Sequence, residues 1–349
     1  MGRYEQLREE LRRRPRTWVV TGVAGFIGSS LLETLLDLGQ VVVGLDSFAT
    51  GYRRNLEEVL RGRPRTGGTF HLHEGDVRSF ETCRAVCLGA DYVLHQAALA
   101  SVPRSLEDPV RANEVNVDGT VNLLLAARET GVRRVVYASS CAVYGDCARL
   151  PLSVGDSGAL LSPYALTKRV AEEYAALFAR THGVDTVGLR YFNVFGPRQD
   201  PRGAYAAVVP QWTRSLLEGE PCRIHGDGET TRDFVWVGDV VQANLLAAAA
   251  ELPPGAHLFN VGGGRRTSLN ELHDALASSV RRLRPDLPPV PCVYDDFRAG
   301  DIRHSQANIS RIQATLGYAP AGDFTASLDV LVAWYEGRYG RPEALARTA

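Results

Sequence analysis

A tyrosine and a lysine one helical turn apart are the most reactive pattern in this sequence. Tyr164 and Lys168 have the i, i+4 spacing that places two side chains on one face of a helix. A free tyrosine titrates near ~10, and a nearby ammonium favours the phenolate, so we expect a lowered pKa for Tyr164. Such a phenol is able to take a proton from a substrate hydroxyl. The alternative is that Tyr164 and Lys168 lie on the surface of a helix and have no catalytic role.

Three glycines near the N-terminus predict a dinucleotide site. Gly22, Gly25 and Gly28 follow a short apolar run rich in β-branched residues and precede an amphipathic stretch. Glycines let the backbone turn tightly, so that a pyrophosphate lies against the N–H groups that open the helix. A tight turn with helix–strand packing is the alternative. Asp46 ends the next apolar run, where an acid binds the adenosine ribose and favours NAD over NADP.

Two further observations bear on this site. Arg53 and Arg54 follow Asp46 closely in sequence, which leaves a 2′-phosphate as the competing interpretation. Ser140 ends another predicted strand, and ligands bind beyond the carboxyl ends of parallel strands. Ser140, Tyr164 and Lys168 therefore predict hydride transfer between a hydroxyl-bearing carbon and a nicotinamide, whose positive charge also lowers the pKa of the tyrosine.

Alternating strands and helices are needed to position these residues. Apolar runs and amphipathic stretches alternate up to about residue 192, which predicts βαβ units and a Rossmann-type, doubly wound parallel sheet. The predicted strands are 17–21, 40–46, 69–75, 92–95, 135–139 and 186–190, and the predicted helices are 27–38, 80–88, 111–130 and 164–182.

The remaining sequence predicts a smaller mixed α/β lobe. After residue 193 glycine- and proline-rich loops separate helices expected at 206–218, 239–251, 268–284 and 326–335. We therefore expect a charged helical extension at 1–15, an NAD-binding Rossmann domain at 16–192 to which later strands may return, and a smaller lobe in 193–349 that covers the end of the sheet.

Composition excludes several classes of protein. The 349 residues carry 39 Lys+Arg and 40 Asp+Glu, so nucleic-acid binding by bulk attraction is not expected. No run approaches the ~20 apolar residues of a membrane span, and the charged N-terminus is unlike a secretory signal. The six cysteines have no metal-ligand spacing, which predicts reduced thiols, no metal and a cytoplasmic protein.

Several motifs resemble one family over essentially the whole chain. Segments 21–28, 45–51, 91–98, 101–105, 190–196, 203–208 and 300–305 are similar to those of extended short-chain dehydrogenases/reductases of the nucleotide-sugar epimerase/dehydratase group. Within that group the chain most resembles bacterial 4-epimerases that act on UDP-N-acetylglucosamine and on its C6-oxidised acid.

The resemblance implies a set of site residues. Ser140, Tyr164 and Lys168 would be catalytic. Residues implied to bind NAD are Gly22, Gly25, Phe26, Ile27, Gly28, Asp46, Asp76, Val77, Gln96, Ala97, Ala98, Asn116, Tyr164 and Lys168. Residues implied to bind the UDP-sugar are Ser101, Val102, Ser139, Ser140, Asn193, Val208, Arg232, Arg298, Asp301 and Ser305. A homodimer through a four-helix interface and a place in polysaccharide biosynthesis are implied as well.

The residues after Ser140 select among the reactions of this group. Dehydratases and decarboxylases carry a carboxylate there, whereas this chain has Cys141 and Ala142. Epimerisation at C4 through a 4-keto sugar, with NAD bound throughout, is therefore the expected reaction. A ketoreductase or dehydrogenase with exchangeable cofactor, and a non-catalytic dinucleotide sensor, are the alternatives.

The substituents of the sugar are left open by the sequence. Ser305 occupies the family's gate position, and a small residue there admits an N-acetyl group at C2. Strict UDP-glucuronate 4-epimerases carry Thr and Arg where this chain has Asn193 and Asp200. Arg198 and Arg202 nevertheless flank that loop, so a C6 carboxylate is the competing expectation.

Overall fold

The computed structural model describes residues 2–62, 67–202, 206–297, 302–320 and 322–339. Thirteen helices and thirteen strands are found there. The helices are α1 (Arg3–Arg13), α2 (Phe26–Asp37), α3 (Arg53–Leu60), α4 (Phe80–Cys87), α5 (Val102–Glu107), α6 (Pro109–Asn113), α7 (Gly119–Thr130), α8 (Pro163–His182), α9 (Val208–Glu218), α10 (Val237–Ala249), α11 (Leu269–Leu283), α12 (Ser310–Leu316) and α13 (Phe324–Tyr339). The strands are β1 (Thr17–Thr21), β2 (Val41–Asp46), β3 (Thr69–Glu74), β4 (Tyr92–His95), β5 (Arg134–Ser140), β6 (Thr186–Tyr191), β7 (Asn193–Phe195), β8 (Cys222–His225), β9 (Thr231–Arg232), β10 (Phe234–Trp236), β11 (Ala256–Val261), β12 (Thr267–Ser268) and β13 (Cys292–Asp295).

Seven parallel strands form the central sheet, which confirms the predicted fold class. Their order is β11-β6-β5-β4-β1-β2-β3, and the order reverses between β1 and β4. In such sheets a ligand binds at this switch point, beyond the carboxyl ends of the strands. Thr21, Asp46, His95 and Ser140 all end strands at that edge.

Helices cover both faces of the sheet. Apolar residues of α1, α2, α10 and α12 pack on one face, and those of α4, α7 and α8 pack on the other. The central strands are therefore buried on both sides, which explains their continuous apolar runs. A third cluster joins α9, α11, α13 and β8 into the core of the smaller lobe.

The later part of the chain returns to the sheet. β11 pairs with β6, and α10 packs against β4, β5 and β6, although both elements follow residue 193. The division of the chain at residue 193 into a cofactor domain and a sugar-nucleotide lobe stays a proposal.

The helix predicted at 111–130 is found, but it begins at Pro109 and contains a π-helical turn. α6, the π-helical turn at Glu114–Asp118 and α7 follow one another without a gap. Within the turn, the Asn116 side chain accepts from Leu99 N at 2.8 Å and donates to Thr167 Oγ1 at 3.0 Å. π-turns inside helices are frequent at functional sites, and hydrophobic periodicity does not reveal them. The short helices α3 and α5 were also not predicted.

Candidate active site

The glycine turn lies between β1 and α2, as the spacing predicted. Gly22 has φ +67°, and a Cβ placed there would lie 2.8 Å from Ala97 N. A Cβ on Gly28 would lie 2.0 Å from Gly22 O, so the third glycine lets the helix close onto the turn. α2 begins at Phe26 and directs its first N–H groups at this edge of the sheet.

A cavity of about 430 Å³ extends from this turn to the end of β5. Predicted NAD-binding residues that line it are Gly22, Gly25, Phe26, Ile27, Gly28, Asp46, Asp76, Val77, Gln96, Ala97, Ala98, Tyr164 and Lys168. Ser139 and Ser140 line it as well. The glycine cradle, the helix N-terminus and an acid at the end of β2 together fit a dinucleotide.

Asp46 is positioned by two backbone hydrogen bonds. Oδ2 accepts from Ala24 N and Oδ1 accepts from Phe48 N, both at 2.8 Å. Burial raises the pKa of Asp46, although these two bonds oppose the shift. The nearby arginines are engaged elsewhere, because Arg53 lies over the Phe48 ring and Arg54 lies over the Tyr52 ring. Neither arginine lines the cavity, which agrees with NAD rather than NADP.

Ser140, Tyr164 and Lys168 meet at the other end of the cavity. α8 begins at Pro163, and the Ser162 hydroxyl accepts from Ala165 N at its first turn. Tyr164 N donates to the Ser105 hydroxyl at 3.0 Å, which docks α5 against the start of α8. Lys168 Nζ donates to Ala138 O at 2.7 Å, and this bond fixes the lysine beneath the strand end that carries Ser140.

The lowered pKa of Tyr164 was expected from Lys168 and a bound nicotinamide together, and the protein chain alone does not produce it. Burial raises the pKa of Tyr164 to about 12, and a hydrogen bond with the Ser140 hydroxyl only partly opposes this. Burial also lowers the pKa of Lys168 to about 8, against the charge of Glu172. The i, i+4 spacing located the pair correctly, but it carried no information about desolvation.

A buried carboxylate lies behind these residues. Glu172 accepts from the Ser139 hydroxyl at 2.6 Å, and from Arg190 Nε at 2.8 Å and Nη2 at 2.7 Å. The side chains of Glu172 and Arg190 are each 3% exposed. Ser139 therefore joins β5 to α8 through its hydrogen bond to Glu172, although it was predicted as a substrate residue.

Asn116 is placed differently from the other predicted NAD residues. It does not line the cavity, and its side chain is engaged by Leu99 and Thr167. Its position supports the cavity wall through the loop that follows Ala98. Nearby, burial lowers the pKa of His95 to about 3, so this histidine is a neutral link between Thr21 and Thr120.

Of the described residues predicted to bind the sugar nucleotide, Ser139 and Ser140 line the 430 Å³ cavity, whereas the others do not. Ser101 caps α5 and Val102 begins it, Asn193 begins β7, and Val208 begins α9. Ser305 N donates to Thr231 O, which places Ser305 beside Arg232 in β9. Arg298 and Asp301 lie outside the described residues.

Other cavity residues were missed by the sequence analysis. Tyr191 donates to Gln96 Oε1 at 3.1 Å and accepts from Asn244 Nδ2 at 2.8 Å, which fixes the Gln96 amide. Gln199 and Arg111 also line the cavity. Tyr191 ends a strand at the ligand edge, and this was a usable signal. Gln199 lies in a loop whose path no local pattern gives.

Other kinds of site are absent from the described residues. No group of three or more His, Cys, Asp or Glu side chains is placed to hold a metal ion there. No helix in that part of the chain is long and apolar enough to cross a membrane.

The fold and this cavity define a Rossmann-type enzyme that binds NAD, with Ser140, Tyr164 and Lys168 at one end of the cavity. Residues 18–262 match the model of the NAD dependent epimerase/dehydratase family. The UDP-glucose 4-epimerase of Mycolicibacterium smegmatis is 38% identical over 304 residues, covering 86% of this chain and 93% of that protein. The chain belongs to the NAD dependent epimerase/dehydratase family, which confirms the predicted resemblance.

Solved structures agree with this assignment. A UDP-N-acetylglucosamine 4-epimerase from Methanobrevibacter ruminantium in complex with UDP-N-acetylmuramic acid has a TM-score of 0.85 and 34% identity, covering 93% of this chain and 99% of that one. The UDP-glucose 4-epimerase of Thermus thermophilus in complex with NAD has a TM-score of 0.79 and 34% identity, covering 92% of this chain and 99% of that one. The prediction of NAD as cofactor is confirmed.

Proposed function

We propose that this chain interconverts the C4 epimers of a UDP-hexose through a 4-keto sugar, with NAD retained during turnover. The observation that carries the proposal is the absence of a carboxylate at the catalytic end of the cavity. Among the described residues that line it, the carboxylates are Asp46 and Asp76, near the glycine turn and β3. Burial raises the pKa of Cys141 to about 11, so its thiol is not poised to move a proton.

Among the described residues that line the cavity, Tyr164 is the proton acceptor beside Ser140, and no carboxylate lines that end. Dehydration also requires removal of a proton at C5, for which the described cavity offers no group. When bound, NAD supplies the oxidation and re-reduction of the sugar carbon. Tyr164 takes the C4 hydroxyl proton in the first half-reaction and returns it in the second, and Ser140 aligns that hydroxyl. The charge of Lys168, held at Ala138 O, favours the tyrosinate.

The preferred sugar is proposed to be an N-acetylhexosamine. Ser305 is small, and its buried hydroxyl has no hydrogen-bond partner within the described part of the chain. A polar group of a substrate is a suitable partner for such a hydroxyl. In the same region the charge of Arg232 acts on the Cys141 thiol, which places this arginine near the catalytic end, where it suits a diphosphate.

A C6 carboxylate is less well supported than the sequence indicated. Arg198 is only 6% exposed and pairs with Glu33 and Glu58, so it is not available to a substrate acid. Arg202 is half exposed and lies within 3.5 Å of Asp200. UDP-glucuronate 4-epimerisation therefore stays the second candidate, and Arg202 is the residue it would need.

We further propose a homodimer that acts in the cytoplasm on precursors of polysaccharides. Leu166, Tyr174 and Leu177 lie exposed on α8, and Leu106 and Val110 are exposed on the adjacent α5 and α6. Large apolar side chains exposed on neighbouring helices are typical of protein interfaces. Sedimentation of wild-type protein and of Leu166→Glu tests this; a wild-type monomer would contradict the dimer.

The experiment for the reaction is a panel of UDP-sugars followed by analysis of the configuration at C4. We expect conversion of UDP-N-acetylglucosamine to its C4 epimer without added NAD. The washed protein is then denatured and its NAD is quantified. Conversion that requires a stoichiometric reductant would instead support the ketoreductase alternative, and NAD without any conversion would support the sensor.

A further inference from the structure

Arg198, Gln199 and Asp200 form a short segment, the clasp, that crosses from the smaller lobe to the cofactor cavity. Gln199 lines that cavity, and its Nε2 donates to Val194 O at 3.2 Å. Asp200 lies 3.3 Å from Arg54 at the start of α3. The clasp thus contacts both the wall of the cofactor cavity and α3.

Arg198 attaches the clasp to the helices that frame the cavity. Its Nη2 donates to Glu33 Oε2 at 2.5 Å and to the Ser30 hydroxyl at 3.3 Å, both on α2. Its Nη1 donates to Glu58 Oε1 on α3 at 3.4 Å. α2 is the helix whose N-terminus opens the glycine turn. One buried guanidinium therefore ties the clasp to both α2 and α3.

The C-terminal helix α13 contacts the clasp and the same α3 carboxylate. The Tyr335 hydroxyl donates to Gln199 O, and Trp334 Nε1 donates to Glu58 Oε1 at 2.8 Å. Arg338 also lies 3.6 Å from Glu58 Oε2. The Glu58 carboxylate therefore accepts hydrogen bonds from the clasp and from α13. It joins both of them to α3.

The backbone conformation at Arg198 depends on the contacts of its side chain with α2 and α3. Arg198 has φ +68°, a left-handed conformation that side-chain-bearing residues rarely adopt. Such a conformation persists only where the surroundings determine it, and it is concentrated at functional sites. Gln199 Oε1 is buried without a hydrogen-bond partner among the described residues, so the Gln199 amide is held by one bond. The ion pairs of Arg198 therefore support the backbone that presents Gln199 to the cavity, together with the Tyr335 bond to Gln199 O.

We propose that Arg198, acting through Glu33 and Glu58, is a positioning residue that keeps Gln199 against the cavity and thereby retains NAD between turnovers. The inference rests on the proposed epimerase cycle, in which the cofactor is regenerated without exchange. In this cycle the reduced cofactor returns its hydride to the keto sugar, so NAD is regenerated in place and a cofactor that departed during turnover would strand the keto sugar. Arg198 contacts protein groups only and does not act on the substrate.

The test measures release of NAD from the isolated holoenzyme. Wild type, Arg198→Gln and Glu58→Gln are incubated with excess 1,N6-etheno-NAD, and the displaced NAD is quantified with time. We expect at least a tenfold faster release from both variants, and activity that falls after washing and recovers when NAD is added. Glu57→Gln is the matched control, because Glu57 is the exposed neighbour of Glu58 on α3, and it should release NAD within twofold of wild type.

Tyr335→Phe covers the case in which a buried charge change prevents folding. It removes the hydroxyl that bonds Gln199 O and changes no charge, and we expect at least threefold faster release. Release within twofold of wild type from every folded variant overturns the inference and leaves the clasp as interlobe packing. The proposed function fails by a different result, namely wild-type protein that holds NAD and converts no UDP-sugar.

Discussion

Replacing Glu172 by glutamine tests the buried ion pair behind the catalytic residues. Glu172 lies one turn beyond Lys168 on α8 and accepts two bonds from Arg190 and one from Ser139. The glutamine side chain has nearly the same shape but no charge. The guanidinium of Arg190 is then left in the interior without its counter-charge, and the brace between α8 and β5 is weakened.

The expected loss of stability follows from the burial of this pair. Both side chains are 3% exposed, so solvent screens the lost interaction very little. Breaking a buried pair by removing one partner costs about 3–5 kcal/mol. Arg190 keeps its bond to Val154 O and its position over the Tyr144 ring, and Gln retains an acceptor. We therefore expect a loss at the low end of that range, about 3 kcal/mol, read as a lower free energy of unfolding in urea.

The same substitution should change the pH dependence of activity. Burial lowers the pKa of Lys168 to about 8, and the negative charge of Glu172 opposes that shift. The lysine loses its charge as the pH rises through its pKa, so wild-type kcat/KM should fall above about pH 8. Without Glu172 the pKa of Lys168 drops further, and the alkaline limb of the kcat/KM profile should move to lower pH. A purely structural role would lower stability without moving this limb.

Two control substitutions in α8 separate the effect of the Glu172 charge from other effects. Glu173 is the next residue and is exposed, so Glu173→Gln should stay within about 0.5 kcal/mol of wild type and keep its pH profile. Glu172→Asp retains the charge and should keep the alkaline limb near its wild-type position. A Glu172→Gln protein that unfolds within about 1 kcal/mol of wild type, with an unmoved limb, would refute the reasoning.

Three further substitutions test the chemistry and the sugar preference. Tyr164→Phe removes the proton acceptor and should lower turnover by about 10²–10⁴-fold while NAD stays bound; turnover within tenfold of wild type would mean that another group is the base. Ser140→Ala should cost less than this, because Ser140 only aligns the C4 hydroxyl, and kcat is the quantity to compare. Ser305→Tyr fills the space beside the sugar and should lower kcat/KM for UDP-N-acetylhexosamines about tenfold to a hundredfold relative to UDP-glucose; an equal fall for both sugars would make Ser305 an ordinary loop residue.

Local patterns were sufficient to predict most of the cofactor end. The apolar runs indicated six strands of the sheet, and the glycine spacing located the turn between β1 and α2. Both signals are local, because strand burial and turn conformation are determined by a few neighbouring residues. The ends of most of these elements differ slightly from the prediction, as expected when helix caps and final turns are decided by tertiary contacts.

The charge states of the site residues were not predictable in this way. Spacing brought Tyr164 and Lys168 together, yet burial shifts the pKa of the phenol up and that of the ammonium down. Both shifts disfavour charge, which is the effect of desolvation rather than of the pair interaction. In the protein chain alone, the expected phenolate is therefore not the favoured state. A positive charge in the adjoining cavity is what the site requires to favour it.

The clasp shows why the remaining parts of the site could not be predicted. Arg198 stands after β7 in the chain, while its partners Glu33 and Glu58 lie on α2 and α3, about 140 or more residues earlier. From the sequence this arginine was a candidate partner for a substrate carboxylate, because a guanidinium near the site suits an anion. The structure provides two protein carboxylates instead, and their positions depend on how α2, α3 and α13 pack. The same side chain thus changes from a substrate ligand to an attachment between lobes, and only the tertiary structure distinguishes the two roles.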